Sequence, residues 1–282
     1  MNLNTVLTPV YWEIIENEEG KFDFSLVDDL IVNARKNDIK LIFLWFASWK
    51  NSMSSHAPAW VKLDQERFPR VKDDKNHSHE ILTPFSENNL MADLNAFEKL
   101  MAHINDFDNK EQTVIMIQVE NEIGMLPTAR DYCSLANEAF KIDVPVELIQ
   151  YMQKNKTKLV PEFYEIWKTN GFKTSGNWEQ VFGKGLHTDE IFMAWFFSKF
   201  TNKIEISFIG RLPPFFFPCR ASNIMIKCTP RGLGIFYSEI LCKRYFSCPP
   251  RQSSKTIRVS SDQRYRLSWE QRRLHSFPVS CV

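Results

Sequence analysis

The chain has 282 residues, 44% of them hydrophobic and 13% aromatic, with a formal net charge of +1. That length holds one large domain or two small ones, and no run of about eighteen uncharged apolar residues exists, so no membrane span is expected. The near-neutral total hides two unlike parts: residues 1–204 carry 22 Lys and Arg against 30 Asp and Glu, while residues 205–282 carry 13 against 4.

The N-terminus, MNLNTVLTPVYWEII, has no basic segment leading into an apolar core and a small-residue cleavage site, and does not read as a signal peptide. Residues 4–12, NTVLTPVYW, are β-branched and apolar and read as a buried strand. A polar turn with Gly20 follows. The pattern then predicts a helix with Ser25 as N-cap, Asp28 in its first turn, and Leu26, Leu30, Ile31 and Ala34 along one face, ending near Asn37. Residues 39–49, IKLIFLWFASW, form a nearly continuous apolar run, as in a strand buried on both faces.

Residues 50–89 are polar and read as a long loop, a length that is uncommon without a function. Leu90, Leu94, Phe97, Leu100, Met101 and Ile104 carry helical spacing over 90–107, and TVIMIQV at 113–119 is a third strand. Further helices are expected at 145–155, 160–169 and 188–203, the last capped by Thr188 with Asp189 and Glu190 in its first turn. Strands alternating with helices argue for an α/β fold with parallel strands, as in a barrel.

The pattern stops after Ile204. Five of the six cysteines (Cys219, Cys228, Cys242, Cys248 and Cys281) lie beyond it, and the basic residues change from mostly Lys to mostly Arg. One reading is a small cysteine-rich basic module, although the spacings match no zinc pattern and contain no Cys-x-x-Cys. The other, which the abrupt shift in composition favours, is an unrelated tail, disordered or translated from a shifted frame. Its charge is scattered without a nucleic-acid-binding motif, so no nucleic acid partner is expected.

Chemistry concentrates in IQVENEIG, where the third strand runs into Glu120, Asn121 and Glu122. A carboxyl group at the end of a barrel strand can be partly desolvated, which keeps a proton available near neutral pH. Protonating a glycosidic oxygen needs such a group, and an adjacent asparagine can donate to a sugar hydroxyl. By spacing alone a solvated strand-to-helix turn is the favoured reading. Glu120 is expected to hold the loop through the backbone or Arg130. His77 and His79 form a His-x-His in a polar loop with no third ligand, so no metal site is expected. Gly183-Lys184-Gly185 follows no strand and carries no nucleotide reading.

The segments PVYWE, EEGKFDF, APAWV and QVENEIG, in that order and spacing, together with residues 174–195, resemble glycoside hydrolase family 35, the β-galactosidases of clan A, and within it a bacterial branch with an extra C-terminal domain. The resemblance covers residues 4–200. It implies a partial (β/α)8 TIM barrel holding strands 2–4 and their helices, with residues 1–204 as an incomplete glycosidase domain and 205–282 as an unrelated tail. It implies retaining hydrolysis of terminal β-galactosides without a cofactor, a carbohydrate as the partner, and relatives that are often periplasmic or extracellular. Glu122 is then the general acid/base and Asn121 contacts the sugar near its 2-hydroxyl. Trp12 and Glu13 at the end of the first strand, and Trp49 and Asn51 at the end of the second, fall among sugar-pocket positions. The nucleophile of that family comes from strand 7, and no residue here matches its motif, so the chain by itself is expected to be inactive. A non-catalytic fragment with weak sugar binding is the alternative.

Overall fold

The computed structural model describes residues 3–209, with side chains as far as Glu205, and two short segments at 227–229 and 232–234. These belong to one unit, Met1–Leu241; a second, Cys242–Val282, lies outside the described residues. Most of the expected tail, including its cysteines other than Cys228, therefore also lies outside them. Lys227–Thr229 and Gly232–Gly234 pair as an antiparallel hairpin.

Three parallel strands form the frame: β1 (Thr5–Tyr11), β2 (Lys40–Phe46) and β5 (Val114–Val119), side by side in chain order. β1 and β2 pair residue for residue from Thr5–Lys40 to Tyr11–Phe46. β2 and β5 pair from Leu41–Val114 to Trp45–Val119 with one register shift after Leu41. The crossovers are helical, α2 (Ser25–Lys36) and α4 (Glu87–Asp108). The chain thus has an α/β fold that forms an arc of a (β/α)8 barrel.

On β2, Leu41, Phe43 and Trp45 are fully buried against the helices, whereas Ile42 and Leu44 on the opposite face are half-buried. The continuous apolar run had suggested burial on both faces. Three strands wrap only part of a barrel interior, so among the described residues that inner face keeps some exposure.

α2 begins at Ser25 with Phe24 in the capping position, and Asp23 Oδ1 accepts the Ser25 N–H at 2.9 Å. The cap is therefore Asp23 acting from outside, not Ser25. The buried stripe is Val27, Ile31 and Ala34, with Leu26 exposed; the one-residue rotation follows from where the sheet lies, which local spacing does not fix. α4 starts three residues earlier than its periodicity suggested because the Ser86 side chain caps it, accepting from Asn89 N–H.

The stretch at 50–89 is not a loop. It holds α3 (Ala59–Leu63) and an antiparallel hairpin of β3 (Arg70–Lys72) and β4 (Ser78–Leu82). The hairpin is fixed from far along the chain: buried Asp131 accepts the Lys72 N–H at 2.9 Å, and Tyr132 N–H donates to Lys72 O at 2.9 Å.

A short helix α1 (Trp12–Ile15) follows β1. After β5 come α5 (Ser134–Lys141), α6 (Val146–Lys154), α7 (Pro161–Thr169), α8 (Trp178–Phe182) and α9 (Leu186–Ile209). α5 is amphipathic over its eight residues but is not among the helices expected from the sequence, and α8, with five residues, is too short to show a period. α8 is set by a capping box, Asn177 with Gln180. α9 extends past the compositional boundary at 204 and packs Phe192 and Phe196 against Trp178 and Phe85. No helix among the described residues is long and apolar enough to cross a membrane.

Candidate active site

Parallel strands deliver their C-terminal ends to one side, so the residues after Tyr11, Phe46 and Val119 gather at a common rim. At the end of β5 the backbone turns twice through the left-handed region, with φ +60° at Glu120 and +43° at Glu122. Non-glycine residues adopt such angles rarely, and they persist where surrounding bonds enforce them. Those bonds are present. Asn121 N–H donates to Trp49 O at 3.2 Å, its Nδ2 donates to Lys50 O at 2.8 Å, and its Oδ1 accepts from Gln118 Nε2 at 2.9 Å. Ser52 Oγ donates to the Glu122 carbonyl at 3.4 Å.

The double turn separates the two carboxyls. Glu122 is exposed at the rim. Glu120 is 1% exposed and accepts from the backbone N–H groups of Ser48 (3.2 Å) and Trp49 (2.8 Å). Burial, and then the neighbouring Asp93 carboxyl, raise Glu120 well above the usual carboxylate range. The desolvated carboxyl expected at this strand end is thus Glu120. Its loop-holding bonds go to the backbone. Arg130 instead lies between the rings of Tyr132 and Phe140, 4.2 Å from each, with its Nε 3.4 Å from Asp189.

At the end of β1, Trp12 is fully buried and its indole N–H donates to Glu16 at 2.7 Å. Glu13 is half-buried; His56 Nδ1 and Lys62 Nζ hold its two oxygens at 2.5 and 3.3 Å. His56 sits edge-on to Tyr11 and stacked on Phe46. After β2, Trp49 is fully buried, edge-on to Phe197 and Phe200 of α9, and its Nε1 has no hydrogen-bond partner among the described residues. Asn51 Oδ1 accepts from the Met53 and Ser54 N–H groups, both at 2.9 Å, which closes a tight turn.

Asn121, Glu122, Glu13 and Asn51 therefore lie at the strand ends with polar atoms near the surface, while Trp12 and Trp49 lie beneath. His56 and Lys62 escaped the sequence reading. Each stands well past the end of its strand, and only the fold brings it to Glu13. His77 and His79 both approach Asp73, at 3.0 and 3.5 Å. No group of three or more side chains that could hold a metal occurs among the described residues.

The family whose model matches residues 1–208 is glycoside hydrolase family 42, described as β-galactosidase. This overturns the assignment to family 35. The segments behind that assignment report strands, strand ends and an Asn-Glu pair, features that do not separate one glycosidase family from another. No curated protein matches the chain. Similar solved structures include the β-galactosidase from Bacillus circulans sp. alkalophilus (16% identity, TM-score 0.45, covering 76% of this chain and 31% of that one). Others are a β-galactosidase from the haloarchaeon Halorubrum lacusprofundi (18%, 0.45, 77% and 32%) and a cold-adapted β-galactosidase from Rahnella sp. R3 (15%, 0.43, 71% and 28%). The chain spans about a third of the length of these solved chains.

Proposed function

The chain belongs to glycoside hydrolase family 42, and from that membership we propose that it carries the acid/base half of a retaining β-galactosidase site. The observation behind this reading is the Asn121–Glu122 pair: an exposed carboxyl at the rim, on a loop pinned to the end of β2 through Trp49 and Lys50. In a site completed by a second carboxylate, Glu122 would protonate the leaving glycosidic oxygen and, once ionised, take a proton from the attacking water.

Asn121 contacts the sugar near its 2-hydroxyl. A carboxamide has two N–H groups, and one of those on Asn121 is used by Lys50 O. Glu13 and Asn51 line the sugar pocket, with Trp12 and Trp49 supporting it from below. The substrate class is the terminal β-galactoside.

A retaining mechanism needs a second carboxylate about 5–5.5 Å from the acid. No residue in this sequence matches the nucleophile's motif, so we read the chain alone as binding galactosides weakly without turning them over. Residues 205–282 are read as an unrelated tail.

Two measurements on the purified chain test this. With an aryl β-galactoside we expect no turnover; turnover abolished by Glu122→Gln would overturn the inactive reading. In saturation-transfer NMR we expect galactose signals that weaken in Asn121→Ala. Their absence from the unaltered chain would remove the sugar site.

A further inference from the structure

Behind the rim, two fully buried carboxyl groups face each other. Asp93, two turns into α4, is 0% exposed, and Glu120 is 1% exposed. They share a donor: the Ser48 N–H lies 3.3 Å from Asp93 Oδ2 and 3.2 Å from Glu120 Oε1. Asp93 also accepts from Ser48 Oγ and from Trp45 Nε1 at 2.9 Å, and Glu120 from Trp49 N–H at 2.8 Å. The shared Ser48 N–H thus sets the two carboxyl groups side by side.

The groups that face the pair can be taken element by element. β2 and its extension contribute neutral donors, on Trp45, Ser48 and Trp49. β5 contributes Gln118, whose amide goes to the Glu120 carbonyl at 2.9 Å. α4 contributes Asp93. α9 contributes the rings of Phe197 and Phe200, packed on Trp49. Among the described residues no Lys, Arg or His makes an ion pair with either carboxyl. Two carboxylates in contact, out of water and without a cation, cannot both stay ionised.

We propose that Asp93 and Glu120 form a carboxylic acid–carboxylate pair in which the Glu120 O–H donates to Asp93, tying α4 to the ends of β2 and β5 and setting the backbone from which Asn121 and Glu122 project. Glu120 is then a positioning residue. That role rests on Glu122 being the acid/base, whereas the shared proton does not. A buried acid that keeps its proton is held above its unfolded value, so the native chain binds more protons than the unfolded one across neutral pH. Stability conferred by the pair is therefore present at low pH and falls as pH rises.

The test uses the full chain, Glu120→Gln and Glu120→Ala. At neutral pH we expect an infrared carboxylic acid C=O band in the unaltered protein that is absent from Glu120→Gln. We also expect a thermal midpoint that falls from about pH 5 to about pH 9 more steeply in the unaltered protein than in Glu120→Gln. The glutamine amide reproduces the donor to Asp93, so Glu120→Gln should keep more stability than Glu120→Ala. The pair is overturned if the unaltered protein lacks the band, a measurement that holds whether or not any variant folds. It is also overturned if Glu120→Gln retains the full pH slope. Glu122→Gln should leave both band and slope in place, so a failed acid/base reading would show separately, as turnover or galactose signals indifferent to Glu122.

Discussion

His56 Nδ1 lies 2.5 Å from Glu13 Oε1, joining the segments that follow β1 and β2 at the rim. Burial pushes the Glu13 carboxyl up, but the hydrogen bond to His56 and the charge of Lys62 outweigh it, so the group sits below its ordinary value. A carboxyl held low in the native state contributes stability above its unfolded value, near 4.3, and loses it as pH falls through the folded value. Glu13 is over a third exposed, so the contribution is small, about 0.2–1 kcal/mol. Urea midpoints should show Glu13→Gln weaker than the unaltered chain at about pH 7 and the two converging near pH 3.

Arg35 should be far less tolerant. Its Nη2 lies 2.6 Å from Asp108 Oδ1, and Asp108 is fully buried. Asp108 also receives the Val114 N–H at 2.7 Å, and Arg35 Nε donates to Thr113 at 2.9 Å, so one ion pair joins α2, α4 and the start of β5. Arg35→Ala leaves a buried carboxylate without its cation and should cost about 3–5 kcal/mol in urea unfolding. A loss below about 1 kcal/mol would mean that Asp108 finds another partner or water.

A Cβ at Gly124 would meet Ser52 Oγ at 2.5 Å. The atom displaced ends a short side chain, so Gly124→Ala should cost under about 1 kcal/mol. Ser52 would nevertheless turn away from the Glu122 carbonyl it now reaches. Amide chemical shifts at residues 52 and 121–124 should move while those of the core stay put. An unchanged rim would show that this contact does not shape the loop.

Cys133 is 4% exposed, and burial, followed by the charge of Asp131, pushes its thiol up to about 11. At about pH 8 the thiolate fraction is then about one in a thousand. Peptide-level mass spectrometry should find Cys133 unmodified by iodoacetamide in the native chain and modified after denaturation. Rapid native labelling would mean that the N-terminus of α5 opens.

The three strands and the longer helices could be read from the chain because their signals are local: β-branched apolar runs at 4–12, 39–49 and 113–119, and helical spacing from Leu90 to Ile104. The β3–β4 hairpin could not. Its sequence is polar, and what orders it is Asp131, about fifty residues beyond β4. Assigning family 35 had a related cause, since strand ends and Asn-Glu pairs record the barrel plan more strongly than the family.

The sequence alone determined that charge follows the third strand, and it marked Asn121 and Glu122. Tertiary structure decided where each carboxyl lies. Side-chain alternation along an extended strand would put Glu120 and Glu122 on the same face. The left-handed turns at both residues break that alternation. Glu120 turns inward to the N–H groups of Ser48 and Trp49 and to Asp93, leaving Glu122 in solvent. Those partners lie 72, 71 and 27 residues away in the chain. Only packing β2 and α4 against the end of β5 makes one glutamate a buried acid and the other an exposed one.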